Sequence, residues 1–290
     1  MNVRNVRRFA FGALGAITLF ACASLDGFLY NGKHVDAYTF TYPAGTPAAV
    51  QVPPAQRQEL TLTAPDGTTV YAVFVRRPSP EDRTAPTILY HHGNKWGIDE
   101  YWVRISRLWS FGANVLAYEY PGYGRADGTP TEAGIHRNAR TALAYLRSLG
   151  DAIDQDRLFH YGYSLGGGPA VDAAKNGGPY RGLITESTFA SVAALVSDGS
   201  LVVPRSFGTE NQFDNAAKIA DAARASNPAV GVLIFHGDAD DFVQPKYATT
   251  LDDAIGTAAP HQKVLVPGAD HGGVPDGAAY EPTVRAFLAK

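Results

Sequence analysis

The chain has 290 residues, 45% of them hydrophobic, which is enough for one large core rather than a string of small modules. A formal net charge of -3, with no basic stripe or acidic tail, argues against nucleic acid as a partner. A single cysteine, Cys22, excludes an internal disulfide, so stability has to come from the core.

The chain opens on a basic start of Arg4, Arg7 and Arg8, followed by an apolar run over 9–21 broken only by Gly12, Gly15 and Thr18. The run is short for a membrane span and suits the apolar region of a secretory signal. It ends at Leu19-Phe20-Ala21-Cys22, which resembles a bacterial lipoprotein signal despite the bulk of Phe20. There, cleavage before the cysteine frees a thiol for lipidation. Cleavage at the small residues Ala21-Cys22-Ala23 and an uncleaved short anchor are the alternatives. The resemblance implies export, with 1–21 as signal and a lipid on Cys22 as the link to a membrane. Removing 1–21 takes away three arginines and no acids, so the remainder carries about -6.

Residues 22–57 read as a tether and lead-in rich in Pro, Ala and Gly, without obvious chemistry. A regular domain spans 58–290. Leu60 and Leu62, then Val70, Ala72 and Phe74, alternate with polar residues around Pro65-Asp66-Gly67, which predicts a β-hairpin. A buried strand is expected over 87–90, a helix over 99–109 and a second buried strand over 113–120. An amphipathic helix follows over 132–149, with Ile135, Ala139, Ala142, Leu146 and Leu149 on one face, Thr131 as its cap and Gly150 at its end. Strands are expected over 157–163, 182–185, 230–235 and 263–266, and helices from Ser164, over 245–256 and over 278–289. Strands alternating with helices indicate an α/β fold, a mostly parallel central sheet with helices on both faces. Its active site lies beyond the carboxyl ends of the strands. The stretch at about 187–228 is a short cap insert with room for two helices, which leaves an open cleft and broad substrate preference. Phe189, Phe207, Phe213 and Tyr123 are candidates to line that cleft, each equally suited to the core.

Gly162-Tyr163-Ser164-Leu165-Gly166 fits G-x-S-x-G between a strand and a helix. That turn strains the serine backbone and presents its hydroxyl as a nucleophile. Glycines flank it because a β-carbon would clash where strand and helix pack. A serine needs a base, and the base needs an orienting acid; where the serine sits on such a strand-to-helix turn of a parallel α/β sheet, the acid and then the histidine follow it in the chain. Of the histidines after Ser164, His271 lies in the loop following the last strand. His261 is at that strand's wrong end, and His236 sits in a strand end where it shapes backbone. Three acids follow the strand at 230–235: Asp238, Asp240 and Asp241, and spacing does not choose among them. Asp270, next to the base, points away from it. Amides of Leu165 and Asn94, the latter in His92-Gly93-Asn94 at an earlier strand end, suit an oxyanion hole. Lys95 and Trp96 then fall on the rim, with Trp96 placed to contact an acyl chain. No metal is expected, because His91 and His92 face opposite sides of a strand.

Taken together, His92-Gly93-Asn94, Tyr118-Glu119-Tyr120-Pro121-Gly122-Tyr123-Gly124 with 127–132, 162–167, His236-Gly237-Asp238-Ala239-Asp240 with Val243 and Pro245, and Gly268-Ala269-Asp270-His271 resemble the α/β-hydrolase superfamily, in particular its small, minimally capped serine hydrolases. The blocks run in that family's order across 58–290. The resemblance implies Asp240 as the acid, three residues past His-Gly. It implies hydrolysis of a small-molecule ester, or else a thioester or amide, and no cofactor. Glu119 stands where relatives carry aspartate, and bulky Lys95 and Trp96 stand where they carry small residues. A peptidase or thioesterase is the nearest alternative. A membrane-tethered binding protein is the alternative of another class.

Overall fold

The structure, a computed structural model, describes residues 29–198, 211–226 and 231–290. The signal, Cys22 and Phe207 therefore lie outside the described residues. The hairpin forms as expected, from β2 (Arg57–Thr63) and β3 (Thr69–Val75), numbering from the two-residue strand β1 (Asn31–Gly32). Its turn is held by Asp66 Oδ1, which accepts from the Thr68 amide at 2.9 Å, and by Gly67 at φ +83°.

The strands β4 (Thr87–His91), β6 (Asn114–Tyr118), β7 (Leu158–Tyr163), β8 (Gly182–Glu186) and β9 (Val232–Gly237) are buried along their whole length, while β10 (His261–Val266) is the partly exposed edge. Continuous apolar runs are what a parallel sheet covered on both faces requires. The sheet has eight strands in the order β10-β9-β8-β7-β4-β6-β3-β2. The pairs from β10 to β6 are parallel, and β3 and β2 join antiparallel.

Alternation along the strands divides the core. Ile88, Tyr90, Val115, Phe159, Tyr161 and Phe235 meet helices α1 (Trp102–Ser110) and α7 (Tyr280–Leu288) on one face. Leu89, Leu116 and Tyr118 meet α2 (Glu132–Ser148) on the other. Beside α2, helix α3 (Gly167–Asn176) packs with Leu183, Val232 and Ile234 and with α5 (Asn215–Arg224), which in turn packs on α6 (Lys246–Ile255). Thr131 caps α2 by accepting from the Gly134 amide at 3.1 Å, as its sequence indicates. The fold is that of an α/β hydrolase.

The lead-in makes contacts that the sequence reading left open, and Leu29, Tyr30 and Val52 are buried. Strand β1 pairs with β5 (Lys95–Trp96), and Tyr38, Phe40 and Tyr42 lie on the core near Trp102. Scattered aromatics carry no periodic signal, so only their partners reveal the packing. Of the aromatics equally suited to cleft and core, Phe213 and Tyr123 are core residues, 1% and 0% exposed. The insert supplies helices α4 (Val192–Ser197) and α5 among its described residues. Among the described residues no helix is long and apolar enough to cross a membrane.

Candidate active site

Ser164 follows β7 directly, in a 3-10 turn that leads into α3. Its φ is +52°, a left-handed conformation that costs a non-glycine residue about 1–3 kcal/mol and persists only where the surroundings enforce it. The flanking glycines permit the close packing that holds it. A β-carbon on Gly166 would lie 2.0 Å from the His91 carbonyl oxygen, and one on Gly162 would lie 2.5 Å from the Gly166 carbonyl oxygen. Thr188, just past β8, donates its hydroxyl to the Ser164 carbonyl and ties the turn to the neighbouring strand.

Three distant stretches meet at this turn. Ser164 Oγ lies 3.0 Å from His271 Nε2, and His271 Nδ1 lies 2.8 Å from Asp240 Oδ2. An ionised carboxylate only accepts, so Nδ1 carries the proton and the lone pair of Nε2 faces the serine hydroxyl. Of the three acids left open by spacing, Asp240 is the one at the histidine. Asp238 accepts from the Gly268 amide and so ties its turn to the histidine loop, and Asp241 is exposed. Asp270 accepts from the Gly272 amide and stays within its own loop.

Asp240 is almost fully buried. Burial alone would raise its pKa. Hydrogen bonds from His236 and His271, the His271 charge and the Val243 amide outweigh that and hold the carboxyl well below the usual carboxylate range. Its Oδ1 accepts from the amides of Phe242 and Val243 at 3.0 and 2.8 Å. His236 Nε2 donates to the Val243 carbonyl at 2.7 Å and stands 3.3 Å from Asp240 Oδ2. It thus shapes backbone, as its place in the sequence indicates, and also faces the acid.

The loop after β4 is tied down at three successive carbonyls. Tyr120 donates to the His92 carbonyl at 2.6 Å, His92 Nδ1 to the Gly93 carbonyl at 2.8 Å, and Tyr123 to the Asn94 carbonyl at 3.1 Å. In a trans peptide the C=O and N–H point in opposite directions. The Gly93 carbonyl points at the buried His92, so the Asn94 amide is turned away from the interior. Asn94 and Leu165 line one small recess with Ser164, together with Leu29, Phe189, Leu195, Phe242 and Val243.

Phe189 therefore lines the recess, whereas Lys95, Trp96 and Tyr123 do not. Tyr123 lies beneath the loop as its support. Trp96, at φ +56° and 41% exposed, stands outside between the ammonium groups of Lys33 and Lys95. Pairing of β5 with β1 directs it there, and that pairing has no signature in the sequence. Sequence reasoning missed Leu29, Leu195 and Phe242. Phe242 is 49% exposed and packs edge-on against His271. Its place two residues after the acid was the available signal.

Residues 137–289, just over half of the chain, match the prolyl oligopeptidase family. The chain belongs to the prolyl oligopeptidase family. This family member is also 30% identical over 267 residues to protein bem46 of Schizosaccharomyces pombe, covering 88% of its own length and 84% of that protein. Among solved structures, it matches an esterase of Pyrococcus furiosus with TM-score 0.66 at 15% identity, over 90% of this chain and 97% of that one. It also matches a protein of Bacteroides ovatus described as a candidate dipeptidyl aminopeptidase IV, with TM-score 0.58 at 14% identity. That match covers 80% of this chain but only 35% of the other. At such identities the two structures bear on the fold alone, and both agree with the α/β-hydrolase architecture. The prolyl oligopeptidase-family chain is a serine hydrolase.

Proposed function

We propose that the protein hydrolyses carboxylic esters through an acyl-enzyme on Ser164. The observation that carries the reading is the unbroken hydrogen-bonded line from Ser164 through His271 to Asp240, at 3.0 and 2.8 Å. His271 Nε2 takes the hydroxyl proton as Ser164 Oγ attacks the carbonyl carbon, and the imidazolium is stabilised by Asp240. Charge gathers on the carbonyl oxygen, and the Asn94 and Leu165 amides receive it. One such donor is worth about 10²–10³ in rate. The bond to the leaving alcohol breaks as His271 returns the proton. Water, deprotonated by the same imidazole, then releases the acid and regenerates Ser164.

Ester preference is favoured by the recess beside the serine, which is small and lined mainly by Leu29, Phe189, Leu195, Phe242 and Val243. It suits a short acyl group, and among the described residues no charged side chain lines it. The family match supports peptide-bond cleavage as the second reading. A panel of short-chain esters, thioesters and aminoacyl anilides decides between them. Turnover of esters at a kcat/KM at least tenfold above the anilides is the expected result, and the reverse order would replace the ester reading by the peptidase one. Fluorophosphonate labelling mapped to the Ser164 peptide separates an enzyme from a binding protein with an inert site. Export with a lipid on Cys22 is part of the proposal. It rests on the basic, apolar and Cys-terminated start of the chain. A lipid mass on the peptide beginning at Cys22 tests it, and an unmodified cysteine in the mature protein would end it.

A further inference from the structure

Behind the histidine loop lies an ion pair that the mechanism above does not use. Arg104 is on α1, and its side chain runs under the loop that carries His271. Its Nη1 donates to Glu186 Oε1 at the end of β8, and its Nη2 donates to the Gly272 carbonyl at 2.6 Å. The guanidinium plane lies over the Tyr163 ring, 3.9 Å from its centroid. Tyr163 immediately precedes the serine, and its hydroxyl donates to the His271 carbonyl at 3.2 Å. The Gly272 amide is held from the other side by Asp270 Oδ1 at 3.0 Å. Glu186 is fixed in turn by Tyr161, whose hydroxyl is 2.7 Å from that of Tyr280.

The consequence is geometric. The two peptides after the imidazole each accept a hydrogen bond from outside their loop. Both donors, Arg104 and Tyr163, are stacked on each other. The nucleophile turn and the base loop are thereby joined through one guanidinium, whose planar fork can hold a carboxylate and a carbonyl at once while its face rests on a ring. Lysine offers a point charge and cannot do all three.

We infer that Arg104 is a positioning residue for His271, with Glu186 fixing its direction and Tyr163 its plane. It touches neither substrate nor reacting atoms. Its task is to keep Nε2 within reach of Ser164 Oγ while Nδ1 stays on Asp240. A displacement of the base by about 1 Å is enough to cost on the order of 10²-fold in rate. The inference rests on the reading of Ser164, His271 and Asp240 as an acyl-transfer site.

The test uses the full-length chain and two variants. Arg104→Lys keeps a positive charge beside Glu186, so the buried carboxylate is not abandoned. The double variant Arg104→Gln with Glu186→Gln removes the pair without leaving either charge alone. For Arg104→Lys the expected result is a fall in kcat of about 10–10² fold, with KM within about threefold. The far-downfield proton resonance of the His271–Asp240 hydrogen bond should be lost or broadened, and the double variant should repeat both effects. Wild-type kcat and an intact resonance in folded Arg104→Lys would overturn the inference, as would a loss confined to KM. Failure of the underlying reading looks different: wild-type protein would then resist fluorophosphonate at Ser164.

Discussion

Replacing Asp240 by asparagine separates the chemistry of the site from its architecture. The carboxamide can place its oxygen where Oδ1 stands and keep the Phe242 and Val243 amides satisfied, now at 3.0 and 2.8 Å. Its NH2 group then occupies the Oδ2 position, 2.8 Å from His271 Nδ1. Two donors cannot face each other, so Nδ1 must become the acceptor and the imidazole proton moves to Nε2. That nitrogen faces Ser164 Oγ, and as a donor it cannot take the hydroxyl proton. The same tautomer reversal in a serine protease costs about 10⁴ in kcat, or about 5 kcal/mol at 1.36 kcal/mol per decade. We expect kcat/KM on an aryl acetate to fall by about 10³–10⁴ fold, fluorophosphonate labelling to slow in parallel, and the melting temperature to stay within a few degrees. Asp240→Ala should behave differently in the melt. It orphans the buried Val243 amide, at about 1–3 kcal/mol, and the part-buried Phe242 amide with it. Asp241→Asn should leave the rate unchanged. A folded Asp240→Asn protein within tenfold of wild type, or an equal loss in Asp241→Asn, would refute the assignment of the acid and the tautomer argument with it.

Gly166→Ala is expected to be insoluble or inactive, because its methyl would meet the His91 carbonyl at 2.0 Å and the opposing atom is backbone that cannot swing aside; expression followed by a thermal melt checks this, and a folded, active variant would contradict it. Phe242→Ala should widen the mouth of the recess and lower kcat/KM on short acyl esters by about tenfold while leaving the melt unchanged, measured on a series of increasing acyl length. Acid stability should show a histidine component: burial, then the Arg147 charge, lowers His160 to about 3, and burial followed by the His160 charge lowers His91 as well. Groups kept neutral by the fold contribute stability that is complete above the unfolded histidine value of about 6.5 and is lost as pH falls towards 3. Urea unfolding should therefore weaken between pH 6.5 and 4.5, above the main carboxylate range, and His160→Phe should flatten that slope; an unchanged slope would remove His160 as its source.

The sequence by itself determined the alternation of strands and helices, and with it the parallel sheet and the edge at which chemistry can sit. It singled out Ser164 as well, because a serine held between glycines at a strand-to-helix junction is a local feature that five residues spell out. The capped amphipathic helix and the hairpin were legible for the same reason: capping, turn chemistry and periodicity act over a few residues. Spacing left Asp238, Asp240 and Asp241 equivalent, because consecutive turn residues differ only in where the turn aims them. The resemblance implied Asp240, and the tertiary structure brings that residue, and not its neighbours, to His271. The tertiary structure also decided that Trp96 faces outward while Phe242 takes the rim, that Tyr123 supports the loop instead of lining the cleft, and that Leu29, Tyr30 and Val52 of the lead-in join the core. Arg104 carries no signature at all in the chain. Its nearest partners in the structure are 82 and 168 residues away. Contacts at that separation are set by how the sheet orders its strands, and no local rule of sequence reaches so far.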